Sequence, residues 1–266
     1  MTVERIVNEM VAQPAPDTLT PGSWSLVADS SRSLVVEQGV RAELLVIDAE
    51  AAVSIDINVA QGAELRMVYV SQTQSANHIK LTVAEGGRCD VTQVMTHSSE
   101  VHFNTMLDGR FATFELNGVF VLTGDDRGGV TVDVHHNMPD CTSCTIVKGV
   151  ASGSAHGRFS GVVYVAPDAQ RTDSKQLSRN VTLGDARIET LPQLEIYADD
   201  VKCSHGATVG QMDAEAVMYM RQRGLSLVDA KRLQLEGFVS DVVMRSAIGR
   251  IAEPLQELIS EKINRL

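Results

Sequence analysis

Glycines preceded by a polar residue recur at Gly39, Gly62, Gly86 and Gly109, with gaps of 23, 24 and 23 residues. A period of that length is the mark of stacked structural repeats. The residues after each glycine test the idea, because a strand sends alternate side chains to one face. Three, five and seven places on, the sets are Ala42, Leu44, Val46; Leu65, Met67, Tyr69; Cys89, Val91, Gln93; and Ala112, Phe114, Leu116. Eleven of these twelve are apolar, which makes one face of each strand a core face. The same phase is expected after Gly129 (Val132, Val134, His136) and after Gly157 (Ser160, Val162, Tyr164), with two further repeats between Gly109 and Gly157. After Gly184 the register slips by one place at Ile188 and Thr190.

No window from residue 24 to 200 carries a 3.6-residue apolar period, so helices do not connect these strands. The pattern predicts a mainly β chain whose core is a β-helix or solenoid of about eight coils stacked roughly 4.8 Å apart. A β-sandwich with strands every 8–12 residues is the competing fold. Aromatic residues make up only 4% of the chain, so aliphatic side chains must fill the layers.

At Thr208 the pattern changes. Asp213 is placed to cap a helix through Met220, with Glu215 in its first turn, Arg221 and Arg223 near its end, and Gly224 as its stop. Ser226 and Asp229 suit the start of a second helix running to about Leu235. Phe238 to Ile248 reads as a third, and Pro254 stands where a fourth can begin. The expected organisation is a short N-terminal segment (1–22), the β-helix (23–207) and a C-terminal α-helical domain (208–266). Val217, Met218, Leu225, Leu233, Phe238, Val242, Val243 and Ile248 are more apolar surface than a small bundle hides. They either cap the solenoid or dock a partner.

The net charge of −11 is concentrated in residues 1–207, which carry 15 Lys and Arg against 26 Asp and Glu. Such a surface repels phosphate backbones and anionic lipids, so neither nucleic acid nor membrane is an expected partner. The sequence has no run approaching the ~20 apolar residues of a membrane span and no apolar run near Met1 like that of a signal peptide. Four cysteines are too few for a disulfide scaffold, and the expected setting is the cytoplasm, where thiols stay reduced.

No phosphate-binding G-x-x-x-x-G-K-[ST], no G-x-G-x-x-G and no G-x-S-x-G occurs, so any ATP-driven step belongs to another subunit. Cys141 and Cys144 form a lone C-x-x-C just after His135 and His136, a set that offers three ligands to zinc or iron. The plainer reading is thiols packed as small apolar residues. Cys203 and His205 are two apart, so on a strand they share a face about 7 Å apart. They offer a metal two of its ligands and leave the rest to a second chain, or they simply pack.

The segment PQLEIYADDVKCSHGATVGQMD (192–213) closely resembles the hallmark segment of the SufB/SufD family, on its SufD branch. His136, Pro139, Ser143, Lys148-Gly149, Phe159-Ser160-Gly161, Ala169, Thr172 and Gln176 agree upstream. Tyr219, Arg223-Gly224-Leu225, Ala230, Leu233 and Phe238 agree downstream, so the resemblance covers roughly residues 25–250. It implies a right-handed parallel β-helix and a non-enzymatic scaffold for iron-sulfur cluster assembly. It also implies pairing with a SufB-like protein or a second copy through the last coils, and docking of the SufC-like ABC-type ATPase on the helical domain. Cys203 and His205 would then face the partner and transiently hold iron or a nascent cluster, with no resident cofactor. Tyr219, Arg223, Gly224, Leu225 and Phe238 would belong to the ATPase-docking surface. Where the SufB branch carries T-Q-C-D, this chain has Thr182-Leu183-Gly184-Asp185, and it is short of most of the N-terminal helical region common on the SufD branch. A β-helical carbohydrate-active enzyme and a purely structural assembly module are the alternatives.

Overall fold

The computed structural model describes residues 2–10 and 12–266. A short helix, α1 (Thr2–Met10), precedes seventeen strands. These are β1 (Gln13–Pro14), β2 (Thr18–Leu19), β3 (Gly22–Ala28), β4 (Arg32–Val36), β5 (Arg41–Asp48), β6 (Ser54–Val59), β7 (Glu64–Ser71), β8 (Ser75–Val83) and β9 (Arg88–Met95). They continue as β10 (Ser99–Leu107), β11 (Thr113–Leu122), β12 (Arg127–His136), β13 (Thr142–Ala151), β14 (His156–Val165), β15 (Thr172–Thr182), β16 (Arg187–Ile196) and β17 (Val201–Gly210). Helices α2 (Ala214–Gln222), α3 (Leu227–Val243) and α4 (Ala252–Ile263) follow.

Odd-numbered strands form one nine-stranded sheet and even-numbered strands an eight-stranded one. The strand pairings are parallel throughout, for example β5 with β7 and β14 with β16. Each coil therefore gives one strand to each sheet, and the fold is a two-sheet parallel β-helix of eight coils, as the glycine period predicts.

The repeat length is not constant. Arg41 pairs with Glu64, Glu64 with Arg88 and Arg88 with Thr113, steps of 23 to 25 residues. Thr113 then pairs with Thr142 and Thr142 with Asp173, so later coils take 29 and 31. The two extra repeats expected between Gly109 and Gly157 are thus not there. Gly129 and Gly157 lie within β12 and β14 of the other sheet. After Gly129 the expected face is right, since Val132, Val134 and His136 are buried. After Gly157 it is inverted: Phe159 and Val163 fill the core, while Ser160, Val162 and Tyr164 lie on the outer face. Gly184 belongs to a second turn column with Gly124 and Gly153, all at φ between +64° and +70°, which accounts for the slip at Ile188.

The interior core runs from Leu19 to Ile188. A second core lies on the outer face of the nine-stranded sheet, where Leu45, Val68, Val70, Val94, Val119, Val121 and Val150 meet α1, α3 and α4. Ile6, Met10, Leu235, Val239, Val242, Val243, Leu255 and Ile259 supply the helical side. Asp213 caps α2 by accepting from the N–H groups of Glu215 and Ala216, and Ser226 caps α3 through the N–H of Asp229. The expected break between Leu235 and Phe238 does not occur. Gly237 in a helix interior costs only about 1 kcal/mol, and Leu235, Val239, Val242 and Val243 bury one continuous stripe against the sheet. Two lysines fasten the helices: Lys148 donates to the Phe238 carbonyl (2.7 Å) and Asp241 (2.6 Å), and Lys262 donates to Asp126 (2.7 Å).

Candidate functional site

β16 and β17 end their sheets, so each presents one unpaired edge. The candidate residues Cys203 and His205 lie on β17, opposite Ser174 and Gln176 of β15. Ser174 and Gln176 are fully buried, and the same register steps lead down through Ser143 and Thr145 to Phe114 and Leu116 in the core. Cys203 and His205 therefore share the inward-facing side of the strand, as their spacing predicts. Among the described residues no coil stacks above them, and this leaves His205 exposed and Cys203 half-buried beside Val163, Val165, Ala169 and Ala198. Burial pushes the Cys203 thiol up, partly countered by the Ser174 backbone, so it is a thiol near neutral pH. Among the described residues no group of three His, Cys, Asp or Glu side chains is arranged to hold a metal ion. The pair offers two donor atoms and no more.

The interior changes character toward this end. His136, Ser143 and Ser174 form a hydrogen-bonded string, with steps of 2.9 and 2.7 Å, ending directly below Cys203. Burial, with His135 adding to it, pushes His136 down to about 4, so its ring is neutral. Gln176, below His205, is buried with both amide atoms unpartnered. A Cβ on Gly161 would come within 2.4 Å of its Nε2, so glycine at 161 makes room for this side chain. A pattern of apolar residues in the inward phase does not reveal this polar lining. The signal was the alternation of Ser174, Gln176, Ser178 and Asn180, all buried.

Cys141 and Cys144 do not converge. Cys141 is buried with its thiol on the Gly109 carbonyl (3.1 Å), while Cys144 lies on the outer face beside Glu115 and Lys175 in register. His136 is engaged with Ser143. Burial raises both thiols, so neither is a ready thiolate.

On the helices, Met218, Tyr219, Leu227, Val228 and Leu233 are exposed, with Arg223 stacked 4.5 Å above the Tyr219 ring. Gly224 takes φ +98° in the turn after α2. Leu225 is half-buried, and Phe238 packs on the chain's own second core under Lys148. Val217, Val242, Val243 and Ile248 are buried, so the apolar excess both covers the sheet and leaves a surface.

A parallel β-helix with an open terminal coil and helices folded back on one sheet places the chain in a known structural class. Residues 20–238 match the family described as "SUF system FeS cluster assembly, SufBD core domain", and the chain belongs to that SufB/SufD family. It is 32% identical over 193 residues to the iron-sulfur cluster assembly protein SufD of Escherichia coli, covering 70% of this chain and 46% of that protein. It is 35% identical over 147 residues to a SufBD family protein of Synechocystis, covering 55% and 32%. A Mycobacterium bovis SufBD family protein is 27% identical over 291 residues, covering 99% and 70%. Within the family the chain is most like SufD, and it spans about half or less of the length of the first two relatives. No helix is long and apolar enough to cross a membrane among the described residues.

Proposed function

We propose that this chain is a cytoplasmic scaffold for iron-sulfur cluster assembly with no catalytic machinery of its own. Its last coil stacks on a second β-helix, a SufB-like protein or another copy, and a nascent cluster or iron ion is cargo at that junction. Cys203 and His205 contribute two ligands there and the partner completes the set. The observation that carries this reading is their shared inward face at the free edge of β17. Sulfur and imidazole nitrogen suit iron better than hard cations. A protonated Cys203 stays inert until a metal displaces its proton, which couples loading to proton release. Unpaired strand edges rimmed by exposed Leu191, Ile196, Tyr197 and Val209 call for a cover.

The exposed apolar strip of α2 and the first half of α3 docks a SufC-like ABC-type ATPase, which supplies the nucleotide chemistry this sequence lacks. Deleting the segment is a poor test, since α3 is part of the second core. Tyr219→Asp and Leu233→Asp leave that core intact and are expected to abolish co-purification of the ATPase. Undiminished co-purification rejects the docking surface. In a reconstituted complex with both partners, Cys203→Ser and His205→Ala are expected to stop cluster formation while the subunits still co-elute. Full cluster yield, read from the visible absorbance, would reduce both residues to packing.

A further inference from the structure

The outer face of the eight-stranded sheet carries a histidine pair that cluster assembly at β17 leaves without a role. His78 on β8 and His102 on β10 are paired in register, and strand alternation sends both to the same face. Their rings meet edge to face, with centroids 4.6 Å apart and planes at 88°. On the next strand, Oδ2 of Asp133 lies 2.8 Å from Nε2 of His102. On the preceding strand Ser54 pairs with His78, and Asp56 stands two residues further along.

A carboxylate only accepts, so Nε2 of His102 donates in this contact and Nδ1 is the nitrogen left to face a metal. Carboxylates that hold a histidine this way in metal sites fix its tautomer and raise its basicity as a ligand. Burial and the neighbouring His102 hold His78 below its ordinary pKa, against the pull of Asp56 and Asp133 and with Lys80 acting the same way as His102. Neither nitrogen of His78 nor Nδ1 of His102 has a hydrogen-bond partner among the described residues, and none of the three is sealed from solvent.

We propose that His78 and His102 form a two-imidazole chelating site for a divalent first-row transition ion, with Asp133 orienting His102 and water filling the remaining positions. Adjacent in-register strands give the two rings the spacing that a bridging ion needs once the edge-to-face contact opens. Imidazole nitrogen favours nickel, copper and zinc over manganese, and magnesium and calcium, which take oxygen ligands, do not bind. The site lies on the opposite sheet from Cys203 and His205 and stands independently of the cluster-assembly reading.

The test is calorimetric titration of the full chain with Ni²⁺, using Mg²⁺ as a control. One Ni²⁺ is expected to bind at this pair and Mg²⁺ not at all. In the Cys203→Ser/His205→Ala background, which removes the chain's other two-ligand pair, His78→Asn and His102→Asn each abolish the binding and Asp133→Asn weakens it about tenfold. In the unsubstituted chain, the paramagnetic ion should broaden the ring-proton signals of His78 and His102 in NMR spectra. No binding by the unsubstituted chain, binding that survives both histidine variants, or broadening confined to other histidines overturns the proposal.

Discussion

Replacing Asp126 with alanine is expected to destabilise the chain by about 2–3 kcal/mol, somewhat below the cost of breaking a fully buried ion pair from one side, because the pair is only part-buried. Asp126 lies between β11 and β12, and its Oδ2 accepts from Lys262 Nζ (2.7 Å) and the Thr123 N–H (2.9 Å) while Ser98 reaches Oδ1 (3.2 Å). The Lys262 side chain is only 8% exposed, so alanine at 126 leaves an ammonium without a counter-ion in the joint between α4 and the β-helix. The loss should appear as an earlier urea midpoint and as faster amide exchange across Ala252–Ile263. The double variant Asp126→Ala/Lys262→Met should recover much of it, because the stranded charge rather than the missing attraction dominates. A double variant no better than Asp126→Ala would refute that account. The pair also sets a pH dependence. Burial alone would raise the Asp126 carboxyl, but Lys262, the Thr123 N–H and Ser98 outweigh it and hold it below its ordinary value. A carboxylate depressed in the folded state stabilises the fold above its unfolded pKa, about 3.9, and that stability is lost as pH falls through the folded value. Asp126→Asn should therefore flatten the stability curve below about pH 4. An unaltered acid limb would show that the pair carries no linkage.

How far the sequence reveals this structure depends on how the chain makes its turns. Gly39, Gly62 and Gly86 take φ between +62° and +69°, where only glycine is unstrained, so the first coils announce themselves. In the next three coils the same position is taken by Phe111, Asp140 and Arg171 at φ between +59° and +64°. Gly86 donates to the carbonyl before Phe111, Asp140 to the one before Arg171, and Asp140 also binds Arg110 and Arg171 (2.7 and 2.5 Å). Those turns leave no glycine signature, and the period is lost where the coils lengthen. The face shared by Cys203 and His205 is legible because two-residue alternation is local. That β17 is the last strand depends on where stacking stops, which the alternation pattern does not encode. The helical cover over the nine-stranded sheet does leave a trace: Leu44-Leu45-Val46 and Val68-Tyr69-Val70 are apolar on both strand faces, as strands buried on both sides must be.

Gly109→Ala is expected to be the most damaging change to the turn column, at about 3 kcal/mol or more, because overpacking here meets backbone. Gly109 completes the regular spacing with Gly39, Gly62 and Gly86, yet its φ is not positive and Phe111 holds the left-handed position in its turn. It is glycine for a different reason. A Cβ at 109 would lie 1.9 Å from the Glu85 nitrogen and 2.3 Å from the Ala84 carbonyl carbon, in the coil beneath. Above it, the Cys141 thiol sits on the Gly109 carbonyl (3.1 Å), so the chain cannot rise to make room without disturbing the next coil. At Gly39, by contrast, a methyl group would meet nothing within 4 Å, and only the left-handed backbone resists. Gly39→Ala should therefore cost about 1–2 kcal/mol. Phe111→Gly should be neutral or stabilising, since the 56% exposed ring gives up little when the backbone strain is relieved. Urea midpoints for the three variants separate the two roles of glycine: conformational freedom in the early coils, and close stacking at the coil where the repeat begins to lengthen. Equal losses for Gly109→Ala and Gly39→Ala would mean that the coils slide apart easily, and that the tight contact between Gly109 and Glu85 does not hold them in register.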